Sequence, residues 1–190
     1  MKNQSVLLGI LTILVAFMSC KKTDEVTPSP IIGQWSVSGV SAINDTKTIS
    51  ATAEEIQNSP SVLVFVPGYY KFYTDGTCQI GDFNDYKVPQ NAGKYIVSSD
   101  NKTISITPNV KDSKGNIVTN IYEILSLSNS TLSILLPKLT QKDKNGDFIS
   151  NNDFENYSNF LAKIAIVSKG NINTDYSNSK SIQAVIILKK

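Results

Sequence analysis

Short runs in which apolar and polar residues alternate dominate this chain from Ile31 onward. The clearest runs cover residues 35–38, 103–107, 132–136 and 182–188. Successive side chains of a β-strand point to opposite faces, so alternation collects the apolar ones on one face of a sheet. Half-buried antiparallel sheets give this pattern, whereas strands of parallel sheets are apolar throughout. The chain is therefore predicted to be mainly β and antiparallel.

Tight-turn sequences separate the alternating runs. Asp75-Gly76 is the strongest of them, because glycine accepts the positive φ that a short hairpin turn requires. Further turns are predicted at Asp100-Asn101, at Lys114-Gly115-Asn116 before a strand over 117–127, and at Asn129-Ser130. Many short strands joined by such turns predict an antiparallel meander barrel. Residues 31–190 have a length that suits a single domain of this kind.

Two segments are predicted to be helical. Residues 51–58 form a short candidate helix that Pro60 stops. Residues 152–168 place Phe154, Tyr157, Leu161, Ile164 and Val167 at helical spacing. Ser150 or Asn152 can cap the start of this second helix, and Gly170 follows its end. We therefore expect a short helix in the N-terminal half and a longer one in the C-terminal half.

The first twenty residues have the three-part plan of a secretory signal. Lys2 gives a basic start, residues 6–17 are largely apolar, and Ser19 precedes Cys20. A membrane anchor helix is the alternative, but a bilayer-spanning helix needs about 20 apolar residues. The segment resembles the lipoprotein signals of Gram-negative bacteria, in which cleavage falls just before the cysteine and the new terminus is acylated. The resemblance implies a signal peptide at 1–19 and acyl chains, palmitate among them, on Cys20.

Residues 20–30 are predicted to form a lipidated, flexible tether, because they are polar and charged, contain proline and have too little apolar content to pack. The stretch KKTDE after the cysteine is similar to signals that send some lipoproteins to the cell surface, and a plain solvated linker is the alternative. Several acyl chains on one residue hold a protein stably at a membrane. We expect a cell-envelope protein, anchored by lipid to the outer membrane and facing the periplasm or the cell surface.

A series of short motifs, in order along the chain, resembles the lipocalins and the lipocalin-like domains of bacterial lipoproteins. The motifs are Gly33-Gln34-Trp35, FYTDGT at 72–77, Gly93-Lys94-Tyr95, the strand pair over 122–132, and IILKK at 186–190. The resemblance spans most of 31–190 and implies a lipocalin-like barrel. In true lipocalins an arginine near the C-terminal end packs over the tryptophan. This chain has no arginine, so Lys189 or Lys190 is the expected cation above the indole.

A lipocalin-like barrel implies a domain that binds a small apolar or amphipathic ligand without catalysis. The candidate ligand contacts are Trp35, Tyr69, Tyr70 and Tyr95, although aromatic residues favour strands anyway and can be ordinary sheet core. The alternative function is an interaction or accessory subunit of a cell-envelope or surface complex, possibly one that handles glycans.

The residue types in this chain exclude several activities. There is no histidine, and 18 lysines balance 16 acidic residues. Nucleophile pairs that use histidine are therefore impossible, and the balanced charge argues against nucleic-acid binding. The spacing of Glu54, Glu55, Asp82, Asp85 and Glu123 singles out no carboxylate pair for glycoside hydrolysis. We expect no enzyme, no catalytic residue and no cofactor.

Two further features have a structural and a functional interpretation. Asp143, Asn145 and Asp147 offer oxygen ligands, but the glycine and the final glutamate of a calcium loop are out of register. A polar turn is preferred there, and no metal site is expected. Cys78 has no disulfide partner if Cys20 carries lipid, and is expected to be a small core residue.

Overall fold

The computed structural model describes residues 29–45, 47–59, 67–82, 90–169 and 176–190. These residues form nine strands and two helices. The strands are β1 Gly33–Asn44, β2 Lys47–Thr52, β3 Pro67–Phe72, β4 Thr77–Asp82, β5 Gln90–Val97, β6 Thr103–Pro108, β7 Asn120–Leu127, β8 Thr131–Leu135 and β9 Ile182–Lys189. The helices are α1 Ala53–Gln57 and α2 Asp153–Val167. The predicted signal peptide, Cys20 and all but the last two residues of the tether lie outside the described residues.

Eight of the strands close into an antiparallel barrel. Strands β3 to β9 pair each with the next, and β1 closes the ring by pairing with both β3 and β9. Strand β2 is not part of this ring. The first residues of β1, 33–36, pair with β3, and β2 pairs only with residues 39–44 of β1. The mainly β, meander-barrel prediction with two helices is confirmed.

The apolar positions of the alternating runs form the barrel core. Ile104 and Ile106 of β6 are buried, and so are Leu132 and Ile134 of β8. Every second residue of β9 from Ile182 to Leu188 belongs to the same core. Burial of these side chains contributes about 25 cal/mol per Å² of apolar surface removed from water, and this hydrophobic contribution is the main one that favours folding.

The predicted turns lie where the sequence placed them. The Asp75 carboxylate accepts hydrogen bonds from the backbone N–H and the hydroxyl of Thr77, and Gly76 has φ +80°. Asn101 also adopts a positive φ, of 56°, in the turn between β5 and β6. Asparagine tolerates this conformation better than most residues. Both hairpins are therefore confirmed.

Two predicted boundaries are wrong. The strand predicted over 117–127 begins at Asn120, because Ile117 and Val118 lie exposed in the connection from β6 instead of facing the core. The helix predicted over 51–58 loses its first two residues to β2. The Thr52 hydroxyl accepts from the N–H of Glu55, and the Glu55 carboxylate accepts from the N–H of Thr52, so this capping box begins α1 at residue 53.

Helix α2 begins at one of the two predicted caps. The Asn152 side chain accepts a hydrogen bond of 2.9 Å from the N–H of Glu155, whereas Ser150 makes no such bond. The helix packs against β1, β2 and β9, and Leu161, Ala162 and Ala165 are fully buried. Gly170 lies outside the described residues. No helix in the described part of the chain has the length and apolarity needed to cross a bilayer.

The two ends of the barrel differ. The closed end holds the short β3–β4, β5–β6 and β7–β8 turns, the start of β1 and the end of β9. Trp35 is fully buried near this end, and its indole N–H donates a 2.6 Å hydrogen bond to the carbonyl of Ile31. The open end holds the longer connection between β6 and β7, and the first turn of α2 reaches it. Any site for a ligand is therefore expected at the open end.

Cys78 is buried in β4. Burial raises the pKa of its thiol to about 11, against a smaller opposing effect of a backbone hydrogen bond from Gly93. The thiol therefore stays protonated, and the expectation of a small core residue is confirmed.

Candidate ligand cavity at the open end of the barrel

A cavity of about 290 Å³ opens between the barrel and the start of α2. Its walls come from β3, β4, β6, β7, α2 and the connection between β6 and β7. This connection, residues 109–119, is called the rim loop below. The volume lies just below the range of about 300–1,000 Å³ that is typical of small-molecule sites.

The floor of the cavity consists of side chains that point into the barrel. Tyr70 of β3, Ile106 of β6 and Tyr122 of β7 are each at most 4% exposed. Tyr70 pairs in register with Trp35 of β1, and Tyr122 pairs with Ile104 of β6. Because alternate strand residues face the interior, the ladder places these rings on the inner face. The floor is thus built by the same register that builds the core.

Helix α2 supplies the opposite wall. The Phe154 ring lies edge-on to the Tyr122 ring, with centroids 4.8 Å apart. One turn further along, the Tyr157 hydroxyl oxygen lies 3.5 Å from that of Tyr70. The apolar face of α2 therefore begins with aromatic residues that meet the barrel tyrosines across the cavity.

The hydroxyls of Tyr70, Tyr122 and Tyr157, called the tyrosine cluster below, are neutral. Burial is the main cause that raises the pKa of each one above the ordinary value for tyrosine. Each phenol also raises the pKa of another: Tyr157 acts on Tyr70, Tyr70 on Tyr122, and Tyr122 on Tyr157. All three hydroxyls therefore remain protonated at physiological pH.

The rim of the cavity is mixed in character. Val110 and Val118 are 52% and 42% exposed, which gives the opening an apolar edge. The charged residues among the described lining, Lys111, Asp112 and Asp153, lie on this rim. A ligand that enters here meets apolar side chains and charges first, and uncharged phenols at the floor.

A pair of hydrogen bonds pins the rim loop to α2. The Asp153 carboxylate accepts from the backbone N–H and from the hydroxyl of Ser113, each at 2.9 Å. The Ser113 N–H bond is the largest of the interactions that lower the pKa of Asp153. Within the loop, Asp112 accepts from the N–H groups of Lys114 and Asn116. The edge of the opening is thus held at a defined position.

The four residues predicted to contact a ligand lie in different parts of the molecule. Tyr70 lines the cavity. Trp35 belongs to the core near the closed end. The Tyr95 hydroxyl donates a 2.8 Å bond to the carbonyl of Tyr73 at the β3–β4 turn, and the Tyr69 ring lies over Gly81 of the neighbouring strand. The structure therefore brings Tyr70 together with residues that the sequence did not single out.

Those additional residues are Tyr122, Phe154 and Tyr157. The sequence carried a signal for each of them: Tyr122 occupies an inward position of a strand, and Phe154 and Tyr157 lie on the predicted apolar stripe of α2. What the sequence lacked was the distance between them, since 87 residues separate Tyr70 from Tyr157.

The acidic stretch near Asp143 forms a polar turn. The Asp143 carboxylate accepts from the N–H groups of Asn145 and Asp147, and Gly146 has φ +85°. Asp147 pairs with Lys163 of α2 at 3.1 Å. These carboxylates therefore stabilise a loop and its attachment to the helix, in agreement with the interpretation preferred from the sequence.

No protein-family model matches this chain, and no curated protein matches it.

Proposed function

We propose that this protein is a lipoprotein of the bacterial cell envelope, held at the outer membrane by lipid on Cys20, whose lipocalin-like barrel binds a small apolar or amphipathic ligand. The observation that carries the binding function is the aromatic cavity at the open end of the barrel. Ligand sites are typically concave, mostly apolar, and furnished with a few convergent polar groups. The cavity over Tyr70, Tyr122 and Tyr157 has each of these properties.

The role we propose is binding without catalysis. A general base needs a pKa near the working pH, whereas the tyrosine cluster has pKa values above the ordinary range. Phenols in this state donate and accept hydrogen bonds but do not abstract protons. The exposed valines of the rim add apolar surface at the opening, as expected for a site whose ligand arrives from a membrane or from a carrier.

Native mass spectrometry of the full-length protein, purified in mild detergent from a Gram-negative host, tests this function. We expect a bound small molecule, released on unfolding, in the mass range that the cavity accepts. Val118→Trp places a bulky ring at the rim and should reduce the bound fraction. Ile117→Trp is the matched control, because Ile117 is exposed on the same loop but does not line the cavity.

The proposal is contradicted if the two tryptophan variants carry the ligand equally. It is also contradicted if no small molecule accompanies the protein and none of a set of apolar fluorescent probes binds it. Circular dichroism of both variants verifies that the barrel is folded, so that a loss of ligand reports on the cavity alone.

A further inference from the structure

The hydrogen bond within the tyrosine cluster is poorly formed. The hydroxyl oxygens of Tyr70 and Tyr157 lie 3.5 Å apart, whereas a good O–H···O bond measures about 2.7–2.8 Å. Each hydroxyl has one donor and two acceptor positions, so this long contact satisfies only part of the capacity that the two hydroxyls offer to other oxygen atoms. Buried hydroxyls in this condition gain free energy when another oxygen reaches them.

Charge is distributed unevenly along the depth of the cavity. Of the residues described as lining it, Lys111, Asp112 and Asp153 lie at the rim, and the floor residues Tyr70, Ile106 and Tyr122 are uncharged. An ionised carboxylate or ammonium at the floor would lose its hydration without gaining a partner of opposite charge. That desolvation is strongly unfavourable. The floor therefore accepts a polar atom but rejects an ionic one.

From these two observations we infer the chemical class of the ligand and its direction of binding. The ligand is an apolar molecule that carries one uncharged oxygen function, a hydroxyl or a carbonyl, and this oxygen enters first and bonds to the tyrosine cluster. Its apolar body lies between Ile106 and Phe154, and whatever charge it carries stays at the rim. This inference rests on the proposed function, since it describes the ligand of the same cavity.

A series of probes with one ring skeleton tests the inference. Naphthalene, 2-naphthol and 2-naphthoate differ only in bearing no oxygen, a hydroxyl or a carboxylate, and calorimetric or fluorescence titration of the folded protein gives the three dissociation constants. We expect 2-naphthol to bind about tenfold more tightly than naphthalene, the equivalent of one net hydrogen bond. We expect 2-naphthoate, which is ionised at neutral pH, to bind more weakly than 2-naphthol.

Removal of a hydroxyl identifies where the oxygen sits. Tyr157→Phe should abolish most of the preference for 2-naphthol over naphthalene, while the affinity for naphthalene itself stays the same. Tyr73→Phe is the matched control: the Tyr73 hydroxyl donates to Gln79 near the closed end, so the preference should persist. A purely structural role of Tyr157 would weaken all three probes alike and would overturn the inference.

The other outcomes separate this inference from the proposed function. Binding of naphthalene as tight as that of 2-naphthol would overturn the inference and leave the binding function in place. The same holds if 2-naphthoate binds most tightly and Lys111→Met removes its advantage, because the polar group would then lie at the rim. Failure of every probe, together with the absence of ligand in native mass spectrometry, would overturn both.

Discussion

The ammonium group of Lys190 lies 4.6 Å from the centroid of the Trp35 ring. The same nitrogen donates a 2.8 Å hydrogen bond to the carbonyl of Pro30. A cation over an indole face is attracted by the negative face of the ring. The sequence offered Lys189 and Lys190 for this position, and Lys190 occupies it. Its side chain connects the end of β9 with the start of β1.

Lys190→Met should lower the free energy of unfolding by about 0.5–1 kcal/mol, the usual value of an exposed cation–π contact. Trp35 is the one tryptophan of the chain, so its fluorescence in a urea titration reports on the unfolding and on the contact itself. Lys189→Met is the control, since the cation over the indole is contributed by Lys190. Equal losses in the two variants would show that the contact contributes nothing specific.

Gly81 and Tyr69 should show strong energetic coupling. A Cβ atom at residue 81 would lie 2.0 Å from the Tyr69 ring, so Gly81→Ala forces the ring away and should cost about 1–3 kcal/mol. In a Tyr69→Ala background the same change should cost much less. A double-mutant cycle from denaturant titrations measures this coupling, and additive losses would contradict it.

The same position of Tyr69 bears on ligand binding. Because its ring packs over Gly81 and not in the cavity, Tyr69→Phe should leave ligand binding unchanged.

The bonds between Asp153 and Ser113 should keep the rim loop ordered. Asp153→Ala should accelerate hydrogen exchange of the Ser113 amide and its neighbours several-fold, because the acceptor is lost. Exchange in the β7–β8 turn provides an internal control and should stay the same. If the rim loop exchanged equally fast in both proteins, these bonds would have no role in holding it.

The same carboxylate predicts a pH dependence. Hydrogen bonds from Ser113 lower the pKa of Asp153 below its ordinary 3.8. Because folding lowers the pKa of Asp153, the ionised carboxylate stabilises the folded state at any pH above its ordinary pKa. This stabilisation is lost as the pH falls through the lowered pKa. The rim loop should therefore remain pinned from neutral pH down to about pH 4. An NMR titration of the Asp153 carboxyl should give a pKa under 3.8, and Ser113→Ala should move it upward.

If the proposed lipid anchor is correct, Cys20→Ser should abolish acylation and leave the barrel intact, because the Cys20 thiol is the group at the proposed signal junction that can carry a thioether lipid. Membrane fractionation alone is ambiguous, since an uncleaved apolar signal also holds a protein at the membrane. Mass spectrometry of the mature N-terminus of the wild-type protein decides the matter. An unmodified terminus at any other residue would refute the lipid anchor and the localisation that follows from it.

Much of the barrel could be predicted because its determinants are local. The inward positions Ile104 and Ile106 follow from a two-residue period, the turn at Gly76 from the need for a positive φ, and the start of α2 from the side chain of Asn152. Each of these features depends on atoms within a few residues of one another. The sequence by itself therefore determined most of the strands, most of their turns and the class of the fold.

Closure of the barrel decided what the sequence left open. Tyr69 and Tyr70 are adjacent and chemically identical, so no local pattern says which one faces the interior. Only the pairing of β1 with both β3 and β9 turns Tyr70 inward. The same closure brings Tyr122 and Tyr157 to it from distant parts of the chain. Alternation within a strand determines which face a side chain points to, but it does not determine which residue lies opposite it across a cavity. Those distances depend on how the whole barrel packs against α2.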